Sequence, residues 1–389
     1  MPDSYEGYLK VYTGDMGFCL FDLDCSAVFS GLAGCHGMIT SAYDVARTRE
    51  DRVSSKYLKY WFDSVFAGRY YKIYSKSVRY TINYDAFKTL KSPVPPLKEQ
   101  DQIVRYLDWK TSEMNRFIHQ KKKQIKMLEE LKCSKINKLI TKGINKNIAM
   151  KDSGVEWIGQ IPENWQIDHI KQHFTIKKRI AGKEGYAVLS ITQQGIKEKD
   201  ISSNEGQMAQ SYANYQFVYP GDFAMNHMDL LTGYVDISKQ FGVTSPDYRV
   251  FVLSDTEHCY APFYLHVFQN GYKRRIFYKF GKGAANQGRW RLPKTSFYDF
   301  AIQVPPIKEQ KIIEKKCKDI ENKIDDLIFG LRKEIELVEE LKVKLISDVV
   351  TGQVDVRNEV IPNYKVDSND DEVEDDVDEE SSDENIDEE

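Results

Sequence analysis

The chain concentrates hydrogen-bonding and cationic side chains in one stretch, "GYKRRIFYKFGKGAANQGRWRL", Gly271–Leu292. Lys273, Arg274, Arg275 and Lys282 place positive charge among Tyr272, Phe277, Tyr278 and Phe280, and Asn286, Gln287, Arg289 and Arg291 follow in a glycine-rich run. Arginine can donate two bonds to guanine, and asparagine or glutamine can pair with adenine. Lysine and arginine also neutralise phosphates without reading sequence. Asn286, Gln287 and Arg289 are therefore candidates for base contacts. The alternation in "RRIFYKF" equally describes a strand with a solvated basic face and a buried aromatic one. In "FTIKKRI", Lys177, Lys178 and Arg179 could hold phosphates or simply occupy an exposed turn, and Gln193-Gln194 in "SITQQGI" could read adenine. An earlier stretch, "AGRYYKIYSKSVRYTINY", offers Arg69, Lys72, Lys76 and Arg79, the last aligned with Arg289 at an offset of 210.

Other constellations point away from catalysis and metal binding. The chain has no GxxxxGK[ST], HExxH, zinc-deaminase HxE…PCxxC or GxSxG signature, and no (N/D)PP(Y/F). Its six cysteines are scattered without a CxxC pair, which argues against a disulfide framework or a four-ligand zinc site; Cys35-His36 is at most a partial ligand set. His227, beside Asn226 and Asp229, reads as structural. Asp15 and Asp222, in "YTGD" and "YPGD", read as Gly-Asp turns feeding strands, and "ARTREDR" (Arg47, Arg49, Arg52) as a solvent-facing helix start. No run of 18 apolar residues indicates a membrane span, and the first residues lack the layout of a signal peptide, so a reduced, cytoplasmic protein is expected.

Charge is unevenly spread. Asp367–Glu389 holds 15 of the 59 acidic residues and no lysine or arginine, so the preceding 366 residues carry 55 basic against 44 acidic groups. A body that basic is compatible with a polyanionic partner, and the acidic tail reads as disordered.

What positions the candidate residues is written twice. "VPPLKEQ" (Val94–Gln100) returns as "VPPIKEQ" (Val304–Gln310), 210 positions later. A helical pattern follows each: Ile103, Leu107, Met114, Ile118, Ile125, Leu128, Leu131, Ile136 and Leu139 in the first; Ile313, Cys317, Ile320, Ile324, Leu327, Leu331, Val338, Leu341 and Leu345 in the second, a heptad-like seam interrupted at Glu334. Thr141 and Thr351 each stand shortly before a glycine able to end the helix. Two helices of about 45 residues, roughly 65 Å each, are implied. Upstream, "YEGYLKVYTGDM" matches "YANYQFVYPGDF" at an offset of 207. An antiparallel pair lets one globular domain bridge the end of the first helix and the start of the second. The expected fold is α+β: two globular domains at opposite ends of two long antiparallel coiled-coil helices, in a pseudo-twofold repeat. Its parts are a first domain over residues 1–92, partial in extent, a helix over 93–150, a second domain over 151–303, a helix over 304–358 and a tail over 359–389.

With "VPPLKEQDQI", "VPPIKEQKII" and "DSGVEWIGQIPENW" (Asp152–Trp165) in hand, the chain resembles the specificity subunit of type I restriction–modification systems. The resemblance implies two target-recognition domains, each reading one half of a split site in double-stranded DNA. Helices would set the spacing and dock two methyltransferase subunits, and restriction/translocase subunits would join for cleavage. It also implies a non-catalytic chain without a cofactor of its own, S-adenosylmethionine, ATP and magnesium belonging to the partners, whose complex would be an endonuclease and adenine methyltransferase. About 60 residues that precede Tyr212 in the second half, the "WIG…PENW" phrase among them, have no match before Tyr5, so the first recognition domain is expected to be a fragment. The alternatives are a non-recognising scaffold or recombination donor, and a coiled-coil DNA-binding regulator. If the contacts are of the kinds assigned, Lys177→Ala weakens binding to all sequences about equally. Arg289→Ala instead relaxes discrimination at one base pair by about 1–3 kcal/mol. Titration against duplexes varied one position at a time measures both, and a sequence-blind loss for Arg289→Ala excludes its base contact.

Overall fold

A computed structural model describes residues 7–23, 29–75, 80–201, 209–283 and 290–364. The acidic tail from Asp367 on lies outside them. The chain divides into two compact units: among the described residues, one comprises 7–124 with 329–364, and the other Ile125–Ile328.

The elements of the first part of the chain are β1 (Leu9–Val11), β2 (Met16–Phe18), β3 (Ser30–Leu32), β4 (Gly37–Ile39), β5 (Asp44–Ala46), α1 (Ser55–Ala67), a 3-10 turn at Tyr70–Ile73, α2 (Tyr84–Phe87) and the 46-residue α3 (Leu97–Lys142). Next come β6 (Met150–Asp152), β7 (Gln160–Pro162), β8 (Gln166–His169), α4 (Ile170–His173), β9 (Phe174–Lys177), β10 (Leu189–Thr192), β11 (Gly195–Glu198), β12 (Gln216–Val218), β13 (Phe223–Met225), β14 (Val235–Ile237), β15 (Gly242–Thr244) and β16 (Arg249–Leu253). α5 (Ala261–Lys273), a 3-10 turn at Phe277–Phe280, α6 (Lys294–Tyr298), β17 (Ala301–Val304) and the 44-residue α7 (Ile307–Val350) complete the chain.

In the first unit β1 pairs with β4, and β2 lies between β3 and β5, all antiparallel. Phe18, Phe29, Tyr57, Trp61 and Phe62 form its core with Ile103 and Leu107 of α3 and Val349 and Val350 of α7. Asn83 caps α2, its side-chain oxygen accepting from the Ala86 N–H at 2.8 Å. In the second unit the sheet order is β14-β13-β16-β9, with β12 pairing β15, and β8 pairing β17. Phe174, Phe223, Phe251, Tyr264, Phe268 and Phe297 fill its core against Ile136 and Ile140 of α3 and Ile313 and Cys317 of α7. Each domain core thus includes faces of both long helices.

Within each unit the long helices run antiparallel. In the first, Lys342 Nζ donates to Asn115 Oδ1 at 2.7 Å and Lys121 Nζ lies 2.7 Å from Glu334 Oε2, which explains the polar break in the seam. In the second, Lys132 Nζ meets Asp325 Oδ1 at 2.6 Å while Gln303 Nε2 donates to the Ile140 carbonyl. The seam on α7 departs from the heptad expected. Leu327 and Leu341 are more than half exposed, and the buried positions are Ile313, Ile324, Ile335 and Ile346, with Cys317 and Ile328. That spacing is 11 residues, or about 3.67 per turn, closer to an unstrained helix than 3.5. Gly143 (φ +68°) and Gly352 (φ +76°) take the left-handed conformation past the helix ends, as the sequence implied.

The repeated phrase acts through its glutamine. Gln100 is fully buried; its Nε2 donates to the carbonyls of Pro95 and Arg52, and its Oε1 accepts from the N–H of Ser54, the N-cap of α1. Gln310, equally buried, donates to Pro305 and His258 and accepts from Tyr260, the N-cap of α5. Each side chain ties the first turn of a long helix to the first turn of a domain helix. Trp165, closing "PENW", is buried and donates from Nε1 to Glu309 Oε2 at 2.9 Å.

Two local expectations are corrected. "RRIFYKF" is not a strand: it is the end of α5, a left-handed turn at Arg275 (φ +54°) and a 3-10 turn, because Ile276 and Phe277 both bury into the core rather than alternating. "ARTREDR" is the exit of β5 and a turn, α1 starting only at Ser55. Gln310→Ala strands three backbone groups, that of Pro305 buried and those of His258 and Tyr260 partly buried, and should cost about 2–3 kcal/mol. Denaturant unfolding followed by tryptophan fluorescence measures it, and a loss under about 0.5 kcal/mol would remove the glutamine from its assigned role.

Candidate nucleic-acid interface

The candidate cations of the second unit do not form one patch. Lys273, at the end of α5, lines a small polar cavity with Cys133, His266, Asn270 and Glu321. Desolvation, then the neighbouring Lys132, lowers its pKa. Arg274 Nη1 donates to Asn137 Oδ1 at 2.7 Å, so these two cations face α3. Arg275 is exposed on its left-handed backbone, a conformation uncommon for a residue bearing a side chain. Lys282 and Arg291 are both exposed and their backbones pair across an isolated bridge, Lys282 N–H to Arg291 O at 2.8 Å and the reverse at 3.1 Å. That bridge closes the base of the segment carrying Asn286, Gln287 and Arg289, which lie outside the described residues.

Lys177 ends β9 opposite Val250 and Lys178 follows it, exposed. Gln193 and Gln194 form the exposed turn between β10 and β11, where Gln193 Nε2 donates to Thr232 O at 3.3 Å and Gln194 Oε1 accepts from Lys197 Nζ. In the first unit Arg69 shares the left-handed backbone (φ +52°), and Lys72 Nζ sits 4.3 Å over the Tyr80 ring. Lys76 and Arg79 lie outside the described residues.

Arg179 is engaged within the protein. Its Nη1 donates to Asp222 Oδ2 at 2.7 Å, the same carboxylate accepts from the Tyr219 N–H at 2.9 Å, and the guanidinium lies 4.9 Å over the Tyr219 ring. The first unit repeats this cluster with another arginine: Arg47 Nε meets Asp15 Oδ1 at 2.7 Å, Asp15 accepts from Tyr12 N–H, and Arg47 lies 5.0 Å over Tyr12. The hydrogen bond from Arg47 leads the causes that lower the Asp15 pKa. Both carboxylates are buried beyond what a Gly-Asp turn requires. The doubled Tyr-x-x-Asp spacing was the available signal; the arginine partners had none.

His173, Asp255 and Cys259 bring possible metal-ligand atoms within 4.8 Å of one another. Existing bonds occupy them. His173 Nδ1 lies 2.9 Å from Asp255 Oδ2 and Nε2 3.1 Å from Asp168 Oδ2, while the Cys259 thiol points to the Tyr264 hydroxyl and burial raises its pKa to about 11. These contacts make the cluster a hydrogen-bonded brace. His36, beside Cys35, accepts from the Thr13 N–H through Nδ1 at 3.1 Å.

Residues 162–337 match the family model described as Type I restriction modification DNA specificity domain. The chain is also 27% identical over 328 residues to a Methanocaldococcus jannaschii protein assigned as the type I restriction enzyme MjaX specificity subunit, covering 80% of this chain and 71% of that one. The type I restriction enzyme MjaVIII specificity subunit of the same organism is 26% identical over 291 residues, 70% of this chain and 64% of the relative. A chain solved in work on complex assembly and conformational transition of the type I R-M system superposes with a TM-score of 0.63 at 12% identity, covering 90% of this chain and 85% of that one, a likeness of fold. These likenesses are all to type I restriction specificity proteins. Among the described residues no helix is long and apolar enough to cross a membrane.

Asp255 yields a pH prediction. Burial works to raise its pKa, but bonds from the His258 ring and backbone and from His173 outweigh it and hold the carboxyl at about 2. A folded pKa below the unfolded value of about 4 means stability that is present above pH 4 and lost as pH falls toward 2. Asp255→Asn should therefore lower the melting temperature at neutral pH and flatten its fall between about pH 4 and 2. Melts across that range check it, and a variant curve parallel to the wild type excludes the linkage.

Proposed function

We propose that this chain is the DNA-reading specificity subunit of a type I restriction–modification complex. Each domain would contact one half of a bipartite site, and the long helices would dock methyltransferase and restriction/translocase subunits. Those partners would carry S-adenosylmethionine, ATP and magnesium, and would perform the adenine methylation and cleavage. The observation that carries the reading is the duplicated register. β1, β2 and the first 3-10 turn correspond to β12, β13 and the second at an offset of 207, β4 to β15 at 205, α1 to α5 at 206 and α3 to α7 at 210. Pairings match as well: Leu9 with Ile39 as Gln216 with Thr244, and Met16 with Ala46 as Phe223 with Phe251. Two copies of one reader, each tied by a buried glutamine to its own helix, suit a split target. This supports domains over 1–92 and 151–303 with helical segments over 93–150 and 304–358 between and after them.

DNA contact is assigned first to exposed residues near domain loops: Lys178, Gln193, Gln194, Arg275, Lys282 and Arg291, with Arg69 in the first domain. Lys177, Lys273 and Lys72 are secondary candidates, while Arg179 and Arg274 have internal partners. Docking of partner helices is supported by Phe329, Leu337, Leu341 and Val343, apolar side chains left exposed on α7. A second reading, a scaffold whose first domain does not read DNA, is favoured by one observation: among the described residues β3-β2-β5 has three strands where β14-β13-β16-β9 has four.

Methylation mapping of DNA from cells co-expressing this chain with a type I methyltransferase subunit separates the two. A split motif methylated on an adenine in each strand is expected. No new methylation, with the methyltransferase active beside another specificity subunit, favours the scaffold.

A further inference from the structure

Among the buried polar atoms of the second unit without a hydrogen-bond partner, two lie beside each other's chain segments at Leu292. Arg249, the first residue of β16, is 6% exposed; Nη2 donates to the Leu292 carbonyl at 2.9 Å and the guanidinium lies 4.7 Å over Phe297, but Nη1 has no partner. His227 Nδ1 is likewise buried and unpartnered. Both residues converge on Leu292, whose N–H donates to His227 O at 2.9 Å. Arg291 is adjacent. Burial, then the charges of Arg249 and Arg291, press the His227 pKa down to about 3, so a neutral imidazole sits in a strongly positive field. Exposure rises from Arg249, buried, through His227, half-buried, to Arg291, exposed.

An unpartnered guanidinium N–H in a domain core is costly, and native cores rarely retain one without a ligand, ion or water to meet it. The first unit shows that the fold does not require it. There Leu20 stands in the position of His227: its carbonyl accepts from Ile82 N–H at 2.8 Å, as that of His227 accepts from Leu292. Asp44 opens β5, pairing with Phe18, where Arg249 opens β16 and pairs with Met225. The same backbone closure is built around a leucine in one domain and around two orphaned polar groups in the other.

We propose that Arg249, His227 and Arg291 form a site for one anionic oxygen, supplied by a backbone phosphate of the DNA bound to the second domain. This rests on the reading of the chain as a DNA-binding subunit and deepens it. Arg249 Nη1 donates from the floor, His227 Nδ1 donates from the wall in the tautomer that protonates it, and Arg291 meets the phosphate at the rim. No base edge is read here, so the contribution is the same for every sequence and fixes the position of the duplex under the neighbouring segment.

The test uses the full chain with Arg249→Met and, as a second variant already accommodated by the first domain, His227→Leu. Each should bind cognate and unrelated duplexes about tenfold more weakly. Arg249→Met should also reduce the slope of log affinity against log salt by about 0.9, the value of one phosphate contact. His227→Leu should melt no lower than wild type. Sodium sulfate, a phosphate analogue, should raise the melting temperature of wild type above that in chloride of equal ionic strength, and raise that of Arg249→Met less. Unchanged affinity and slope in both variants, beside a wild type that binds, overturn the site. Loss confined to particular sequences overturns the phosphate assignment in favour of a base. Sulfate stabilisation without a DNA effect overturns the DNA source. If wild type binds no DNA, the functional reading itself fails, and the sulfate difference alone then decides whether an anion site exists.

Discussion

Each unit depends on one buried amide. A glutamine side chain has two donors and an acceptor, and at Gln100 and Gln310 the acceptor and both donor directions are used, on backbone groups from two different segments. The double proline just before explains why such a device is needed. Proline supplies no N–H, so the chain entering the long helix cannot be secured by its own backbone donors. The amide, one turn inside the helix, reaches back to the carbonyl before the helix and across to the N-cap of the domain helix. Each domain is thereby held to a fixed turn of a long helix, and that turn sets where its loops point.

This arrangement separates what is held from what is left free. The interior of the second unit is dense with edge-to-face aromatic pairs, Phe174 meeting Phe223, Phe251, Tyr264 and Phe268 at ring separations of 5.3–5.9 Å. Two of the cationic candidates are drawn into the frame: Arg274 to α3 and Arg179 to Asp222. Those on turns remain at the surface. A frame held by its aromatic core and its internal ion pairs can carry different side chains on its turns without repacking.

The two long helices were legible in the sequence, because helices of 46 and 44 residues leave a long record of burial in residue types. The helix ends at Gly143 and Gly352 followed from that record. The seam itself was misassigned where leucines outnumber what it can bury: Leu327 and Leu341 fit a heptad, yet the 11-residue series of isoleucines fits the helix better. "RRIFYKF" misled because two turns, one left-handed, produce the same alternation of charge and aromatic as a strand. Partners distant in sequence left no trace. Nothing around Asp15 announces Arg47, and nothing around Asp222 announces Arg179.

Those two ion pairs meet the same physical demand with different parts. A buried carboxylate needs compensation, or its charge is stranded in a medium that cannot solvate it. In the second unit the arginine arrives from 43 residues before the aspartate, just past β9; in the first it arrives from 32 residues after, just past β5. Both guanidiniums stack on the tyrosine three residues before the aspartate, at nearly equal distances. The strand that delivers Arg179 has no counterpart paired to β5 among the described residues, yet Asp15 is compensated all the same. The first domain therefore meets the electrostatic demand of its own turn with a residue of its own sheet. Its core does not wait on a fourth strand for charge balance, and the edge of β5 can differ from that of β16 without exposing an unpaired buried charge.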